Sequence, residues 1–244
     1  MARMNRRIWL WLKDLQGKTR EVFDVNGVTV TVPRDADGDL RYVLEKGRPY
    51  EAAESYLISK YLPVGSNVVE LGGCMGVISA VIRNQIGPDA RHIVVEARHD
   101  LAKLVTVNAT RNAHPDKVQV VEAAIDYSGA ETVSFSVGRN AHVGRVSAQG
   151  GKGSITVPAT TLSAVSAPLD GEKFALVCDI EGAETDLIAK ENSIFEQVDL
   201  AIIELHPKQY ATGQQAIDEM VSGLAAQGLR RVEQVENVVC FRRD

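Results

Sequence analysis

This 244-residue chain has few aromatic residues and no excess of basic charge. Aromatics make up 5% of it, and 27 Lys plus Arg stand against 32 Asp plus Glu, for a net charge of −5. Proteins that bind a phosphate backbone usually carry a basic stripe, and proteins that hold single strands stack bases on aromatic rings. The composition therefore argues against a nucleic-acid partner. It also excludes the collagen-like, disordered and disulfide-scaffold classes.

Paired cysteines and long apolar runs are lacking as well. Cys74, Cys178 and Cys240 form no CxxC motif and cannot all pair with one another. We expect them to be reduced thiols, which indicates a cytoplasmic protein. No apolar run reaches the roughly 18 residues that a membrane span needs, so no stable span is predicted.

A short basic and apolar segment lies near the N-terminus, where Arg3, Arg6 and Arg7 precede the apolar block 8–12. The block is shorter than a signal-peptide core of about 7–15 residues, and Lys13 closes it without a small-residue cleavage site. We expect a helix that packs on the body of the protein or on a partner subunit. A helix lying in a membrane surface is the alternative.

Residues 1–48 are predicted to form an N-terminal extension, a helix followed by a β-hairpin, ahead of a main domain at 49–244. Asn26-Gly27 stands between two alternating apolar and polar segments and supplies the positive φ of a type I′ hairpin turn. Residues 34–47 are predicted to be a polar connection.

Strand, turn and helix patterns alternate from residue 67 onward. Short apolar runs are typical of strands buried on both faces, and the segments between them have helical periodicity. Strands are predicted at 68–71, 93–95, 118–125, 174–178, 201–205, 229–235 and 238–241. The last two form a hairpin, so the final strand should run antiparallel to the others. We predict an α/β fold with a doubly wound, mostly parallel seven-stranded sheet and right-handed crossovers.

The loop after the first strand of this sheet is rich in glycine. Counted from Gly72, the dinucleotide fingerprint G-x-G-x-x-G fails, because its other glycine positions fall on Cys74 and Val77. What remains is acid-x-Gly-x-x-x-Gly, running from Glu70 to Gly76. Its glycines let a ligand approach bare backbone. Its carboxylate favours an ammonium or a sulfonium over a pyrophosphate.

Acidic residues also follow the other strands, and ligands of a doubly wound sheet bind at the carboxyl ends of its strands. Glu96 ends the second strand, where a carboxylate accepts both ribose hydroxyls of a ligand. The fourth strand ends in Asp179 and Glu181, and the fifth ends in Glu204 and His206. We therefore expect these groups to line one cleft.

One block, residues 179–184 with the sequence Asp-Ile-Glu-Gly-Ala-Glu, is close to the D-[VI]-E-G-[AS]-E pattern of a known family. On this block, with 69–76, Asn108 and Asn112, and 203–207, the chain resembles the FkbM family of S-adenosylmethionine-dependent methyltransferases. That family has the class I, Rossmann-like fold, and the resemblance runs from about residue 49 to 207. The family's first loop is Asp-x-Gly-Ala-Asn, from which this chain departs at three positions, Glu70, Gly73 and Cys74.

The resemblance implies S-adenosylmethionine as the cofactor. Acid and glycine positions would surround its methionine part, one acid would bind its ribose, and small apolar residues would flank its adenine. The residues around the methionine part would be Glu70, Gly72, Gly73 and Gly76. Glu96 would bind the ribose, and Ala97, Ala124 and Ile125 would lie near the adenine. The remaining implied contacts are Glu51, near the cofactor entrance, and Asp179, which would point toward the methyl group or the acceptor.

Methyl transfer is an in-line displacement. Alignment of the reactants contributes roughly 7–11 kcal/mol to it, and a base adds a factor of about 10²–10⁴. The candidate catalytic residues are Asp179, Glu181 and His206, whose imidazole can take a proton near neutral pH. Glu184, in the following helix, is either a further candidate or a charge that complements the helix dipole.

The substrate side is predicted to include Glu204 and the long Gly- and Ser-rich loop 138–152, with His142 and Arg145 as candidate contacts. Loops of this length in a compact domain are usually functional or mobile. We expect O-methylation of a hydroxyl on a small molecule or saccharide.

Several alternatives stay open at this point. The acceptor could be a nitrogen or a carboxyl group, the chain could be a cofactor-binding module without catalysis, or it could be a nicotinamide oxidoreductase. The acids and His206 could also hold a divalent metal, although no metal ligand is assigned. A homodimer is compatible with the sequence.

Overall fold

A seven-stranded sheet with helices on both faces forms the centre of the protein, in a computed structural model that describes residues 6–36, 38–137, 144–146 and 153–244. The α-helices of these residues are α1 (Arg6–Leu15), α2 (Gly38–Glu45), α3 (Ala52–Tyr61), α4 (Val77–Ile86), α5 (His99–Thr110), α6 (Leu162–Ser166), α7 (Glu184–Lys190) and α8 (Gln214–Ala226). The strands are β1 (Val22–Val25), β2 (Val28–Thr31), β3 (Asn67–Leu71), β4 (His92–Val95), β5 (Val118–Val121), β6 (Ala124–Ile125), β7 (Thr132–Val137), β8 (Gly144–Val146), β9 (Ser154–Thr160), β10 (Phe174–Cys178), β11 (Val198–Glu204), β12 (Leu229–Val235) and β13 (Val238–Arg243).

The strands of the large sheet lie in the order β12-β13-β11-β10-β3-β4-β5. Neighbours from β11 to β5 are parallel, whereas β13 is antiparallel to both β11 and β12. This confirms the predicted doubly wound sheet with its antiparallel final strand. The chain runs outward from β3 through β4 to β5 and then returns to β10 on the other side of β3. The strand order therefore reverses between β3 and β10, where open α/β sheets bind their ligands.

Successive residues of the central strands face two different hydrophobic cores. Val177 of β10 packs in the core that contains residues of α3 and α4. Its neighbours Leu176 and Cys178 pack in the core that contains residues of α7 and α8. Burial on both faces makes such strands continuous apolar runs, which is why the sequence predicts their positions.

The predicted N-terminal hairpin is confirmed. Strands β1 and β2 pair antiparallel across Asn26 and Gly27, whose φ angles are +50° and +79°. Apolar residues of the hairpin, among them Phe23 and Val30, are buried in the same core as α3 and α4. The division of the chain at residue 48 stays a prediction.

Asn108 joins the hairpin to the body of the protein. Its side chain accepts a hydrogen bond from the Thr31 amide at 2.7 Å and donates to the Thr31 carbonyl at 2.9 Å. It also donates to the carbonyl of Met75 at 2.8 Å, in the loop after β3. The buried amide thus satisfies backbone groups that would otherwise lack partners.

Two segments differ from the sequence-based expectation of a connection or a loop. Residues 34–47 contain α2, because Leu40 and Leu44, one helical turn apart, are buried on one face. Within the predicted loop 138–152, residues 144–146 form β8, which pairs with β7.

The predicted strand 118–125 was wrong in its extent. Strand β5 stays in the large sheet, whereas β6 leaves it and pairs with β9 in a second sheet of order β6-β9-β7-β8. The break lies at Ala123, whose amide donates to the carbonyls of both Glu96 and Val121. No helix among the described residues combines the length and the apolar character needed to cross a membrane.

Candidate active site

A cleft, called the main cleft below, lies over the reversal of strand order, at the carboxyl ends of β3, β4 and β10. Its empty volume is about 640 Å³, including the open space at its mouth. Six residues predicted to contact a cofactor meet on its walls: Gly72, Glu96, Ala97, Ala124, Ile125 and Asp179.

Gly72 is the point at which the loops after β3 and β10 come closest. Its φ is +91°, and a Cβ placed there would lie 1.8 Å from the carbonyl oxygen of Asp179. Only glycine combines that backbone angle with so close an approach. Its amide donates to Val95, and the amide of Asp179 donates to Leu71, both at 2.9 Å. Bare backbone therefore forms this part of the wall of the main cleft.

Glu96 stands in the main cleft with its carboxylate held by backbone amides. It accepts hydrogen bonds from the amides of Cys74 and Arg98, both at 2.8 Å. Burial raises the pKa of Glu96 to about 7, although these two amides favour its ionised form. A carboxylate offers about four acceptor positions. Two therefore remain for hydroxyl donors in the main cleft.

A smaller pocket adjoins the main cleft across Gly72, Cys74 and Asp179, and Glu51 and Glu54 line it. Burial raises the pKa of Glu51 to about 8, and the negative charges of other acids in the cluster add to the effect. Burial also raises the pKa of Glu54, helped by the charges of Glu51 and Asp179. The pocket thus brings together carboxyl groups whose ionisation is unfavourable.

Glu54, Tyr50 and Phe135 line these cavities but were missed by sequence reasoning. Glu54 follows Glu51 by one helical turn. The sequence feature that could have indicated it is an acidic residue between apolar positions of a helix. Phe135 belongs to β7 in the second sheet. Its approach to the main cleft depends on non-local strand pairing that the sequence does not reveal.

Asp179, Glu181 and His206, the predicted catalytic residues, lie close together, and the first two line the main cleft. His206 Nε2 lies 3.4 Å from Asp179 Oδ1 and 3.6 Å from Glu181 Oε2. Burial opposes the charged imidazole, but the hydrogen bond and charge of Glu184, with the other two acids, raise the pKa of His206 to about 9. Burial and the charges of Glu204 and Glu51 raise the pKa of Asp179.

Glu184 fixes the orientation of this group. One of its oxygens lies 2.9 Å from His206 Nδ1 and accepts from the Ile180 amide at 3.3 Å. The other oxygen accepts from the Gly182 amide at 2.9 Å and from the Tyr210 hydroxyl at 3.2 Å. With Nδ1 occupied, the imidazole directs Nε2 toward the two acids.

Three other residues predicted to bind the cofactor, Glu70, Gly73 and Gly76, lie close to residues of neighbouring helices and strands. Glu70 accepts from the Ser79 hydroxyl at 2.9 Å, and its second oxygen lies 2.9 Å from His92 Nε2. A Cβ at Gly73 would lie 2.7 Å from a methyl of Val94, and one at Gly76 would lie 2.9 Å from Val105 Cα. Glu70 and Gly73 line the smaller pocket, and among the described residues Gly76 lines neither cavity.

The three predicted substrate residues lie in different parts of the chain. His142 lies outside the described residues, and Arg145 lies in β8. Glu204 ends β11, and burial raises its pKa.

The three predicted catalytic residues could also hold a divalent cation. Asp179, Glu181 and His206 each offer one ligand atom, and these atoms lie within 4.8 Å of one another. Carboxylate oxygens and an imidazole nitrogen are suitable ligands for several divalent metals.

Comparison with models of known protein families and with curated proteins gives no match. Similar solved structures include a TehB-like SAM-dependent methyltransferase from Corynebacterium glutamicum, with 11% identity, coverage of 84% of this chain and 95% of that one, and a TM-score of 0.48. A protein of the NADB-Rossmann superfamily from Streptococcus agalactiae is 12% identical, with coverage of 78% of this chain and 67% of that one, and a TM-score of 0.48. An RNA methyltransferase from Salinibacter ruber in complex with S-adenosyl-L-homocysteine is 14% identical, with coverage of 80% of this chain and 90% of that one, and a TM-score of 0.40.

Proposed function

We propose that this chain is an S-adenosylmethionine-dependent methyltransferase of the FkbM type that methylates a hydroxyl group. The observation that carries the proposal is the set of buried carboxyl groups around Gly72. Burial raises the pKa of Glu51, Glu54 and Asp179 there, and the neighbouring acids add to the effect. Such a site is relieved by a cationic ligand, because an opposite charge stabilises each carboxylate.

The residues of the two cavities fit this cofactor. When bound, it supplies a methyl group activated by a positively charged sulfur. The free acceptor positions of Glu96 suit two ribose hydroxyls, and Ile125 and Phe135 offer apolar surface to an adenine. Glu51 and Asp179 would compensate the positive charges of its methionine part.

In the mechanism, the chain orients the acceptor and removes its proton. Glu184 holds the imidazole of His206 so that Nε2 faces Asp179 and Glu181. With a pKa of about 9, His206 is protonated at neutral pH in the free protein. A nearby positive charge lowers the pKa of an imidazole. With a cation held in the main cleft, His206 Nε2 would take the proton of the acceptor's hydroxyl group. Asp179 and Glu181 would stabilise the resulting imidazolium.

The acceptor is proposed to be a small molecule or a saccharide. The main cleft continues into a polar pocket whose lining includes Ser128, Ser134, Asp186 and Gln209. Hydroxyl and amide groups suit a polyhydroxyl acceptor, whereas the acids beside them disfavour the phosphates of a nucleic acid. The free thiols of all three cysteines support a cytoplasmic location as part of the proposal.

Calorimetric titration with S-adenosylmethionine and S-adenosylhomocysteine tests cofactor binding. We expect both to bind, and Glu96→Gln to weaken binding about 10- to 100-fold, because hydrogen bonds to a charged group contribute about 1.5–3 kcal/mol. Glu219→Gln, on the exposed side of α8, is the matched control and should bind as the wild type does. Absence of binding to the wild-type chain would refute the proposed cofactor.

Methyl transfer itself is tested with a panel of hydroxyl, amine and carboxyl acceptors and a methyl-labelled cofactor. Label in a hydroxyl acceptor is the expected result. Tight cofactor binding without transfer to any member would instead favour a non-catalytic module.

A divalent cation held by Asp179, Glu181 and His206 is the second candidate for acceptor activation, because their ligand atoms converge. We expect activity to persist in excess chelator, since Nε2 is proposed to carry the proton. Loss of activity on chelation, with recovery on addition of Mg²⁺ or Mn²⁺, would replace the base mechanism with a metal-assisted one.

A further inference from the structure

Helix α1 presents apolar side chains to solvent along one side. Ile8, Trp11, Leu12 and Leu15 are 52%, 59%, 38% and 65% exposed. Their spacing of i, i+3, i+4 and i+7 places them on one stripe of the helix, called the outer stripe here. Surface helices normally turn such a stripe toward the core.

The other side of α1, which includes the buried Leu10, packs against α2. Arg6 pairs with Asp39 at 3.0 Å, and Lys13 pairs with the buried carboxylate of Glu45 at 2.6 Å, both on α2. Between these pairs the ring of Trp9 meets that of Tyr42 edge-on, with centroids 5.2 Å apart. These contacts fix the rotation of the helix, so the outer stripe cannot turn inward without breaking them.

Positive charge is concentrated at this end of the chain. The first twenty residues carry six Lys or Arg and one Asp, whereas the whole chain has a net charge of −5. Lys18 and Arg20, which follow the helix, are exposed. Arg6 and Lys13 are paired with acids of α2, so Lys18 and Arg20 supply exposed positive charge next to this helix. An exposed apolar stripe with basic residues nearby is typical of helices that lie in the interface of an anionic membrane.

We propose that the outer stripe is a docking site for an anionic lipid surface, with α1 lying in the plane of that surface. A ten-residue helix is about 15 Å long, too short to cross a bilayer but sufficient to lie along one. Trp11 sits mid-stripe, and its ring suits the level of the lipid headgroups. A second copy of the chain is the less suitable occupant, because the four side chains of the stripe are far fewer than the roughly 20–30 residues that each partner contributes to a standard protein interface.

Tryptophan fluorescence of the full chain tests the docking directly, because the two tryptophans of the chain, Trp9 and Trp11, both lie in α1. In a Trp9→Phe background, Trp11 is the only fluorophore of its kind. We expect its emission to shift to shorter wavelength with phosphatidylcholine vesicles containing phosphatidylglycerol, and not with phosphatidylcholine alone. The shift should weaken as salt is raised. Cosedimentation with the same vesicles should show the same preference.

The double variant Trp11→Ser/Leu15→Ser should bind anionic vesicles at least tenfold more weakly. The matched control is Val64→Ser, which removes a 78% exposed apolar side chain from the turn before β3 and should bind as the wild type does. Cofactor affinity should be the same in all variants, so failure of docking is distinct from failure of the proposed function. Equal binding to neutral vesicles, or a lipid-free dimer abolished by the double variant, would overturn the proposal.

Discussion

At the scale of single residues, Gly72 combines a positive φ, which only glycine adopts readily, with a close contact, and a matched glycine separates the two effects. We predict that Gly171→Ala, with φ +79° and open space around it, destabilises the protein by about 1 kcal/mol. Gly72→Ala should cost at least ~2 kcal/mol more, because its Cβ would overlap the Asp179 carbonyl. Urea denaturation of both variants measures the free energies of unfolding. Equal losses would mean that the loops after β3 and β10 can separate freely.

His206 allows a second residue-scale prediction. Its pKa of about 9 rests on its acidic neighbours, among which Glu184 acts most strongly. We expect NMR titration of the imidazole to give a pKa above that of an unperturbed histidine. Glu184→Gln should lower that pKa by more than Glu181→Gln does. The reverse order would mean that Glu184 does not hold Nδ1.

At the scale of elements, the N-terminal hairpin supports the loop that carries Glu51. The Asn26 side chain donates to the carbonyl of Tyr50 and to the Ser55 hydroxyl. We predict that Asn26→Gly, which keeps the positive φ of the turn, costs about 1–3 kcal/mol for two hydrogen bonds and weakens cofactor binding severalfold. Asn26→Ala should cost more, since it adds backbone strain. Denaturation and calorimetry measure the two effects, and unchanged cofactor affinity in both variants would show that the hairpin does not position Glu51.

Sequence patterns predict those elements whose burial is uniform or whose turn chemistry is local. The strands of the large sheet are apolar on both faces, and Asn26-Gly27 can form a type I′ turn without help from distant residues. Helix α2 was missed because only two apolar positions, Leu40 and Leu44, mark its buried face. The split of 118–125 depends on pairing between β6 and β9, which lie more than 25 residues apart.

In the candidate site, too, some features could be predicted from the local sequence and others depend on distant residues. Glu96, Asp179 and Glu181 could be predicted because strand ends fix their position at one edge of the sheet. The contacts of Glu70 could not be predicted from the sequence, because Ser79 and His92 approach it from a helix and an adjacent strand. The surroundings of a side chain depend on packing between elements, whereas its place at a strand end follows from the chain itself.

At the scale of the whole molecule, the acidic cluster couples stability to pH. The pKa values are about 8 for Glu51, about 7 for Glu96 and about 9 for His206, each above its ordinary value. The folded state therefore holds these protons more tightly than the unfolded state. The stabilisation is complete below the unfolded pKa of each group and is lost as pH rises through the folded pKa. We predict that the Tm of the cofactor-free protein falls by about 5 °C or more between pH 5 and pH 9. A Tm that rises over this window in calorimetric scans would contradict the prediction.

The same cluster should distinguish the cofactor from its product by charge. S-adenosylmethionine carries a positive sulfur where S-adenosylhomocysteine has a neutral thioether, so ionised acids favour the first over the second. Because Glu51 ionises with a pKa of about 8, we predict that the ratio of the two dissociation constants grows in favour of S-adenosylmethionine from pH 6 to pH 9. A tenfold change corresponds to a one-unit difference in the pKa shift that the two ligands cause. Calorimetry across this range measures the ratio, and Glu51→Gln should flatten its dependence on pH. A ratio independent of pH in the wild type would place the positive sulfur away from these carboxylates.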